Sequence, residues 1–580
     1  MGTLRARLNK KFSQKTYPDL ADPNVFKAMA AGRKEFEEKY LGKTYPWILA
    51  DWTYIDDDQT YQTKNPCDRT MVIGTFPAFS EKDAPLFFGH GFAKALYNIR
   101  IAGLNFAKTV PWPKRVKLLL EISKVVQEWF WLLVAAKQYE TGQGLMEAIG
   151  ETDETVDFPL FVAMCLEEIN EDLLLKSPKF AGNYNGKGYV PHGVFLNICP
   201  FNFPDAIPID MACKALAMGN AFIEKSSNKS SLCGYLVYES IRIAFERLGI
   251  PHEGVVNYAP GGPEVVDLLL QSHNIAGVSF TGSSAALASI KEKHGKMLRN
   301  GFHGRAPLVY GSEETSGVNI VAVWHDANML RAASECVKSF VGRSGQKCSS
   351  ARVIIVHERV KDLFTEHLEE ELKKIRYGNV LDGRDVSPLI TEEANTRMCL
   401  IIEDLFEKRV VENLFPIKSR QRIIYKEPLV PTILFASKDV LEDEDKAQTL
   451  MNTEIFGPVA TVIFVPDLEK IEWLCQFSDY ALTGGYFAVD VDACLALEEI
   501  IPAGNLYGNR KCTGALVGGE CFGGLRSRSS PTGRKGKDAL PSFGSLQTHS
   551  GFYPPSWSEE ERKRFIKHME EKLGVVFSKT

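Results

Sequence analysis

From about residue 190 the chain settles into one rhythm. Short apolar runs, "GVFLNIC" (193–199), "AFIEK" (221–225), "GVVNYA" (254–259) and "GVSFTG" (277–282), alternate with amphipathic segments such as "SSLCGYLVYESIRIAFERLG" (230–249). Strand, helix, strand, helix is the pattern of βαβ units around a parallel sheet. The rhythm resumes after Cys348 with "ARVIIVHE", "RVKDLFTEHLEEELKKIRYG", "VATVIFVP" and "GGYFAVD". At 580 residues the chain exceeds what one hydrophobic core supports. Two α/β domains are therefore expected, joined near residues 311–318.

Ahead of that region, "KRVKLLLEISKVVQEWFWLLVAAKQYETGQG" (114–144) has helical spacing and a glycine-rich stop. A net charge of -5 gives no footprint for nucleic acid. The longest apolar run, "WFWLLVAA" (129–136), is too short to span a bilayer. Twelve cysteines without a CxxC pair argue against a zinc site or a disulfide framework and for a reducing compartment, the cytoplasm. No metal site is expected. The basic opening "MGTLRARLNKKFSQKTYPDL" reads as a solvated arm, with a presequence for the mitochondrial matrix as the alternative.

Cys348 sits in "VGRSGQKCSS" (341–350), which offers no large apolar side chain between Gly342 and Ser350 and sets Arg343 and Lys347 beside the sulfur. Flanking cations favour a thiolate, the form that attacks carbonyl carbon. Neither GxGxxG after a strand nor GxxxxGK[ST] is present. A weaker cradle exists where Gly282 and Ser283 follow an apolar strand and open a helix. Taken alone it is a common strand-to-helix turn.

Seven tags occur in order: "CPFNFP" (199–204), "IEKSSN" (223–228), "FTGSS" (280–284), "EETSG" (313–317), "GQKCSS" (345–350), "EIFGPV" (454–459) and "CFGG" (521–524). Together they resemble the aldehyde dehydrogenase superfamily across roughly residues 100–545. "GQKCSS" and "KCTGALVG" (511–518) look like its Δ1-pyrroline-5-carboxylate dehydrogenase branch, which oxidises glutamate γ-semialdehyde to glutamate.

The resemblance implies an α/β fold with a modified five-stranded Rossmann cofactor domain, an α/β catalytic domain, and a β-hairpin near 175–195 used for oligomerisation. It divides the chain into 1–314 with the cofactor domain, 315–520 with the catalytic domain, and 521–580 returning to the first. Cys348 is implied as nucleophile, Glu314 as the general base for thioester hydrolysis, and the amide of Asn202 with the Cys348 N–H as the oxyanion donors. Lys225, Asn228, Gly282, Ser283, Glu454 and Phe456 are implied for NAD. Asn228 stands where the family commonly has an acid, which keeps NADP open as an alternative. Ser349, Gly514 and Ala515 match the carboxylate anchor, Phe203 and Phe522 an aromatic pair about the aliphatic chain, and Glu154 a partner for the substrate's amino group. A homodimer or larger homo-oligomer is implied, with a small aldehyde as the only other partner.

The chain departs from the pattern at Val318, where lysine is usual, at Cys521 in place of proline, and at Pro159, which interrupts the segment after Glu154. Two other readings remain: a coenzyme A-acylating relative, against which Glu314 argues, and a binding protein that has kept the fold. The joint presence of Cys348, Asn202 and Glu314 argues against the second.

Overall fold

The computed structural model describes residues 18–577 except 57, 80–90, 175–182, 300–307, 417–420, 425–427, 429, 527–536 and 574. The basic opening to residue 17 and the start of the expected hairpin lie outside the described residues.

Two seven-stranded sheets carry the molecule. In the first, Val309–Glu314, Gly277–Thr281, Val194–Ile198, Ala221–Lys225 and Val256–Tyr258 run parallel in that spatial order. Trp47–Leu49 and Trp52–Tyr54 extend it antiparallel beyond Tyr258. The five-stranded parallel core is the modified Rossmann arrangement expected from the resemblance. Its central strands are buried along their whole length, which is why they read as continuous apolar runs. Helices Trp112–Glu128, Leu145–Leu174, Ala206–Ala217 and Ser231–Arg247 cover one face, and Phe92–Thr109 and Pro263–Leu270 the other.

The second sheet runs Val411–Phe415, Thr432–Ala436, Val459–Val465, Ala351–His357, Asn319–Val323, Thr483–Phe487 and Asn505–Gly508, with only its first strand antiparallel. It too is covered on both faces, by helices Met329–Val341 and Lys361–Lys373 on one side and Glu392–Glu407 and Leu468–Gln476 on the other. Val318 is buried in this second core. The passage between the sheets is four residues long: Glu314 closes the first and Asn319 opens the second.

Within the expected hairpin near 175–195, the described residues Asn183–Pro191 form one strand. Among the described residues its antiparallel partners come from far along the chain, Gly544–Phe552 and Val576–Phe577. One expectation is corrected. Pro159 does not interrupt the helix, which runs from Leu145 to Leu174 through it. A buried helix can lose the single hydrogen bond a proline lacks when packing along its length holds it.

Candidate active site

Three turns of backbone place the reactive loop. After the helix Met329–Val341, Arg343 and Ser344 both adopt left-handed angles (φ 54° and 55°), followed by Gly345 at φ 67°. Side chains avoid this region, so the turn persists only because its surroundings hold it. The buried Arg352 guanidinium is one such hold. It donates to the carbonyls of Gly345 and Gly457, the latter at 2.6 Å, and so ties the reactive loop to the Glu454–Gly457 loop. Burial lowers the Arg352 pKa to about 10. A Cβ on Gly317 would stand 2.1 Å from the Cys348 carbonyl, so only glycine lets the crossing segment pass there.

Cys348, Glu314, Ser349, Gly514, Ala515, Phe203, Phe522 and Glu154 line one cavity of about 120 Å³. Glu314 arrives from the end of the first sheet, Cys348 from the approach to the second, and Glu154 from the long helix. The anchor turn is closed on itself: Glu520 accepts the Leu516 N–H at 2.6 Å and pairs with Arg510 at 3.6 Å. Gly514 within it is left-handed, φ 78°.

Asn202 lies one layer away. It lines a small neighbouring cavity with Thr141, Phe201 and Gln346, and its Nδ2 donates to the Gln346 carbonyl at 2.8 Å. That bond takes one of the amide's two N–H groups.

The cations beside the sulfur behave differently from the sequence reading. Lys347 pairs with Glu147 at 2.6 Å, and Arg343 with Glu151 at 2.9 Å and Glu147 at 3.3 Å. Their charge is answered by carboxylates rather than left to the thiol. Burial alone would raise the Glu147 pKa, but Lys347 and Arg343 outweigh it and hold it at about 2. Burial lowers the Lys347 pKa. The Arg343 guanidinium also stacks 3.6 Å from the Phe203 ring centre, covering one face of the ring expected to grip the substrate's aliphatic chain. Glu147 and Glu151 escaped the sequence reading, although with Glu154 they fall at helical spacing on one face.

The residues implied for the cofactor lie outside this cavity. Lys225 ends the strand Ala221–Lys225 and donates to the Gly261 carbonyl at 3.0 Å, and burial lowers its pKa to about 8. Ser283 caps the helix that begins at Ser284, accepting the Ala286 N–H at 3.2 Å. Gly282 donates its N–H to the Glu314 carbonyl at 3.1 Å, which joins this turn to the end of the strand Val309–Glu314. Glu454 accepts the Gly317 N–H at 3.0 Å. Phe456 is left-handed (φ 53°) and meets Phe201 edge-on at 6.3 Å. Asn228 opens onto a separate depression with Lys64, Arg69 and Lys229 facing Glu392 and Glu393. An ammonium with one neutral acceptor at a strand end, a helix N-terminus and a carboxylate with one oxygen uncommitted suit a dinucleotide.

A profile of the aldehyde dehydrogenase family matches residues 52–548. The chain belongs to the aldehyde dehydrogenase family. Within this family its curated relatives include the 1-pyrroline-5-carboxylate dehydrogenase of Anoxybacillus flavithermus, 29% identical over 518 residues, covering 88% of this chain and 94% of the relative. The protein of the same name from Bacillus subtilis is 29% identical over 507 residues, covering 87% and 92%. Among solved structures, 1-pyrroline-5-carboxylate dehydrogenase from Thermus with bound NAD superposes with a TM-score of 0.80 at 25% identity, covering 93% of this chain and 98% of the other.

As in any aldehyde dehydrogenase that works through a thiol, reactivity at Cys348 requires that no disulfide claim it. All twelve cysteines are free thiols, eight of them buried. Burial pushes the pKa of Cys475 and of Cys165 up to about 12, which makes both poor nucleophiles. Among the described residues no group of His, Cys, Asp and Glu could hold a metal ion, and no helix is long and apolar enough to cross a membrane.

Proposed function

We propose that this chain is an NAD(P)-dependent dehydrogenase that oxidises glutamate γ-semialdehyde, the open form of Δ1-pyrroline-5-carboxylate, to glutamate in proline breakdown. The observation that carries this reading is the single cavity in which Cys348, Glu314 and the Ser349–Gly514–Ala515 anchor face one another. The names of the relatives support the choice of substrate.

Cys348 attacks the aldehyde carbon, turning a planar centre into a tetrahedral one. The oxyanion that forms is met by the free N–H of the Asn202 amide and the backbone N–H of Cys348. Losing one such donor costs about 3–4 kcal/mol in a transition state. A nicotinamide held here would supply the acceptor for the hydride that leaves the tetrahedral carbon. Glu314 then takes a proton from water as that water attacks the Cys348 thioester, and glutamate leaves. Lys225, Ser283, Glu454 and Phe456 hold the dinucleotide, with Gly282 shaping the turn. Asn228 brings no negative charge against a 2′-phosphate, which favours tolerance of NADP beside NAD. Glu154 receives the substrate's amino group, and Phe203 and Phe522 its methylenes.

The domain division at 314/315, with 521–580 returning to the cofactor domain, is part of this reading. It is supported by Ser542, which donates to the Gly311 carbonyl at 2.6 Å, and by Phe543 against Phe195 at 4.7 Å between ring centres. A homo-oligomer built through the three-stranded C-terminal sheet is also part of it, supported by the outward apolar side chains of Val190, Leu546 and Phe552. Free thiols throughout suit the cytoplasm.

The test is absorbance of reduced cofactor with glutamate γ-semialdehyde and NAD or NADP, alongside Cys348→Ala. Turnover that vanishes in the variant supports the reading. Turnover of another aldehyde in preference overturns the substrate, and silence with every aldehyde overturns the activity.

A further inference from the structure

Three cations line the cavity that holds Cys348: Arg343, Lys347 and Lys511. Arg343 and Lys347 are matched by Glu147 and Glu151. Lys511 is not. Among the described residues no carboxylate lies within ion-pair distance of its ammonium, although its charge reaches Glu147 and Lys347 through space.

The acids nearest to it are committed elsewhere. Glu335 accepts the Lys511 backbone N–H at 3.0 Å and pairs with Lys338 at 2.7 Å, which fixes the lysine's main chain but leaves its head unclaimed. Glu520 serves Leu516 and Arg510. The Lys511 side chain lies over the anchor turn: a Cβ built on Gly514 would stand 3.6 Å from its Cε and 3.7 Å from its Nζ. Among the described residues the N–H groups of Gly514 and Ala515 make no hydrogen bond within the protein. One short stretch of cavity wall therefore holds two unused backbone donors and the cavity's one unmatched cation.

A half-buried ammonium without a counter-ion is a site prepared for an anion, because pairing restores what desolvation removed. We propose that Lys511 is the counter-charge for the substrate's carboxylate, and that it makes this enzyme select aldehydes with a carboxylate at the far end over neutral aldehydes. The proposal rests on the function proposed above and adds a specificity-determining residue to it. The backbone donors give the carboxylate direction, and Lys511 gives it charge. Lys347 cannot take this role while Glu147 holds it.

The experiment compares Lys511→Met and Lys511→Arg with the wild type in the full chain, using glutamate γ-semialdehyde, succinate semialdehyde and butyraldehyde. Lys511→Met is expected to lower the kcat/KM ratio of each semialdehyde over butyraldehyde by about 10- to 100-fold, as for a hydrogen bond to a charged group. The loss should fall on KM rather than kcat, and Lys511→Arg should recover most of it. Calorimetry of glutamate binding to cofactor-free protein should show the same factor in Kd. An equal loss for butyraldehyde would make Lys511 merely structural and overturn the proposal. A wild type selective for semialdehydes whose Lys511→Met variant keeps that selectivity overturns the Lys511 proposal alone. A wild type that prefers butyraldehyde overturns the substrate reading and this proposal together.

Discussion

Asn319 holds the carbonyl of Cys348: its Nδ2 donates to that oxygen at 2.7 Å and to the Ser350 carbonyl at 2.8 Å, while its Oδ1 accepts the Thr483 N–H at 3.0 Å. One buried amide thus fixes the peptides that follow Cys348 and Ser350 and joins them to the neighbouring strand. It stands five residues from Glu314, so the same crossing segment sets the base and the nucleophile proposed above.

Asn319→Ala leaves two carbonyls and one N–H without their partner, at about 1–3 kcal/mol for each group that stays buried. The variant should melt several degrees lower, and its kcat should fall about tenfold or more because the thiol is no longer aimed. Asn319→Asp keeps the bond from Thr483 but turns an oxygen onto both carbonyls, and should show the kinetic loss with at least as large a fall in melting. Unchanged kcat in both variants would mean that the loop is held by Arg352 alone.

Gly345→Ala is expected to be among the most damaging single substitutions in the chain. The added methyl would lie 1.9 Å from the Gly457 carbonyl, in a turn whose left-handed angles already strain Arg343 and Ser344. Left-handed backbone costs alanine about 1–2 kcal/mol, and overpacking about 1–3 kcal/mol more. Urea denaturation should show a loss of that combined order. A variant as stable as the wild type would show that the Gly457 loop moves away freely.

The parallel sheets were legible because strands buried on both faces carry unbroken apolar runs, as in "AFIEK" and "ARVIIVHE". That Cys348 and Glu314 meet at one cavity was expected from two local motifs. The reach of Glu147 to Lys347 was not, since the partners lie 200 positions apart and nothing in either neighbourhood marks the other. The same holds for Asn183–Pro191, whose partner strand begins more than 350 residues later. Register with a distant strand cannot be read from spacing.

Glu147→Gln should separate charge from packing at the reactive loop. Its carboxyl is held at about 2, below the ordinary carboxylate value, so its contribution to stability is present above that ordinary value and is lost as pH falls toward 2. The stability difference between wild type and variant should therefore be largest at pH 7, about 1–3 kcal/mol for a half-buried charged pair, and shrink in acid. Freed from Glu147, the Lys347 ammonium also acts on the thiol, so Cys348 should alkylate faster near pH 6–7 in the variant. Equal rates would place the charge of Lys347 too far from the sulfur to matter.

Glu224→Gln should be the opposite case. Glu224 is wholly buried at the centre of the first sheet, where Oε1 accepts the Ser226 hydroxyl at 2.9 Å and Oε2 has no partner among the described residues. Its register neighbour Asn197 is also buried with its amide unpaired. Helix Ser231–Arg247 passes this point on Gly234, where a Cβ would stand 2.6 Å from Glu224 Oε1, so no side chain from that helix can answer the carboxyl. Burial pushes the Glu224 pKa well above the usual carboxylate range and holds the group neutral. A raised folded pKa stabilises most at low pH, and that advantage is lost as pH rises toward the folded value. A glutamine is neutral at every pH, so the variant should match the wild type near pH 4 and exceed it at pH 8. Melting curves across that range decide it. A variant less stable by a constant amount would show that Glu224 is ionised and paired by a cation that the fold conceals.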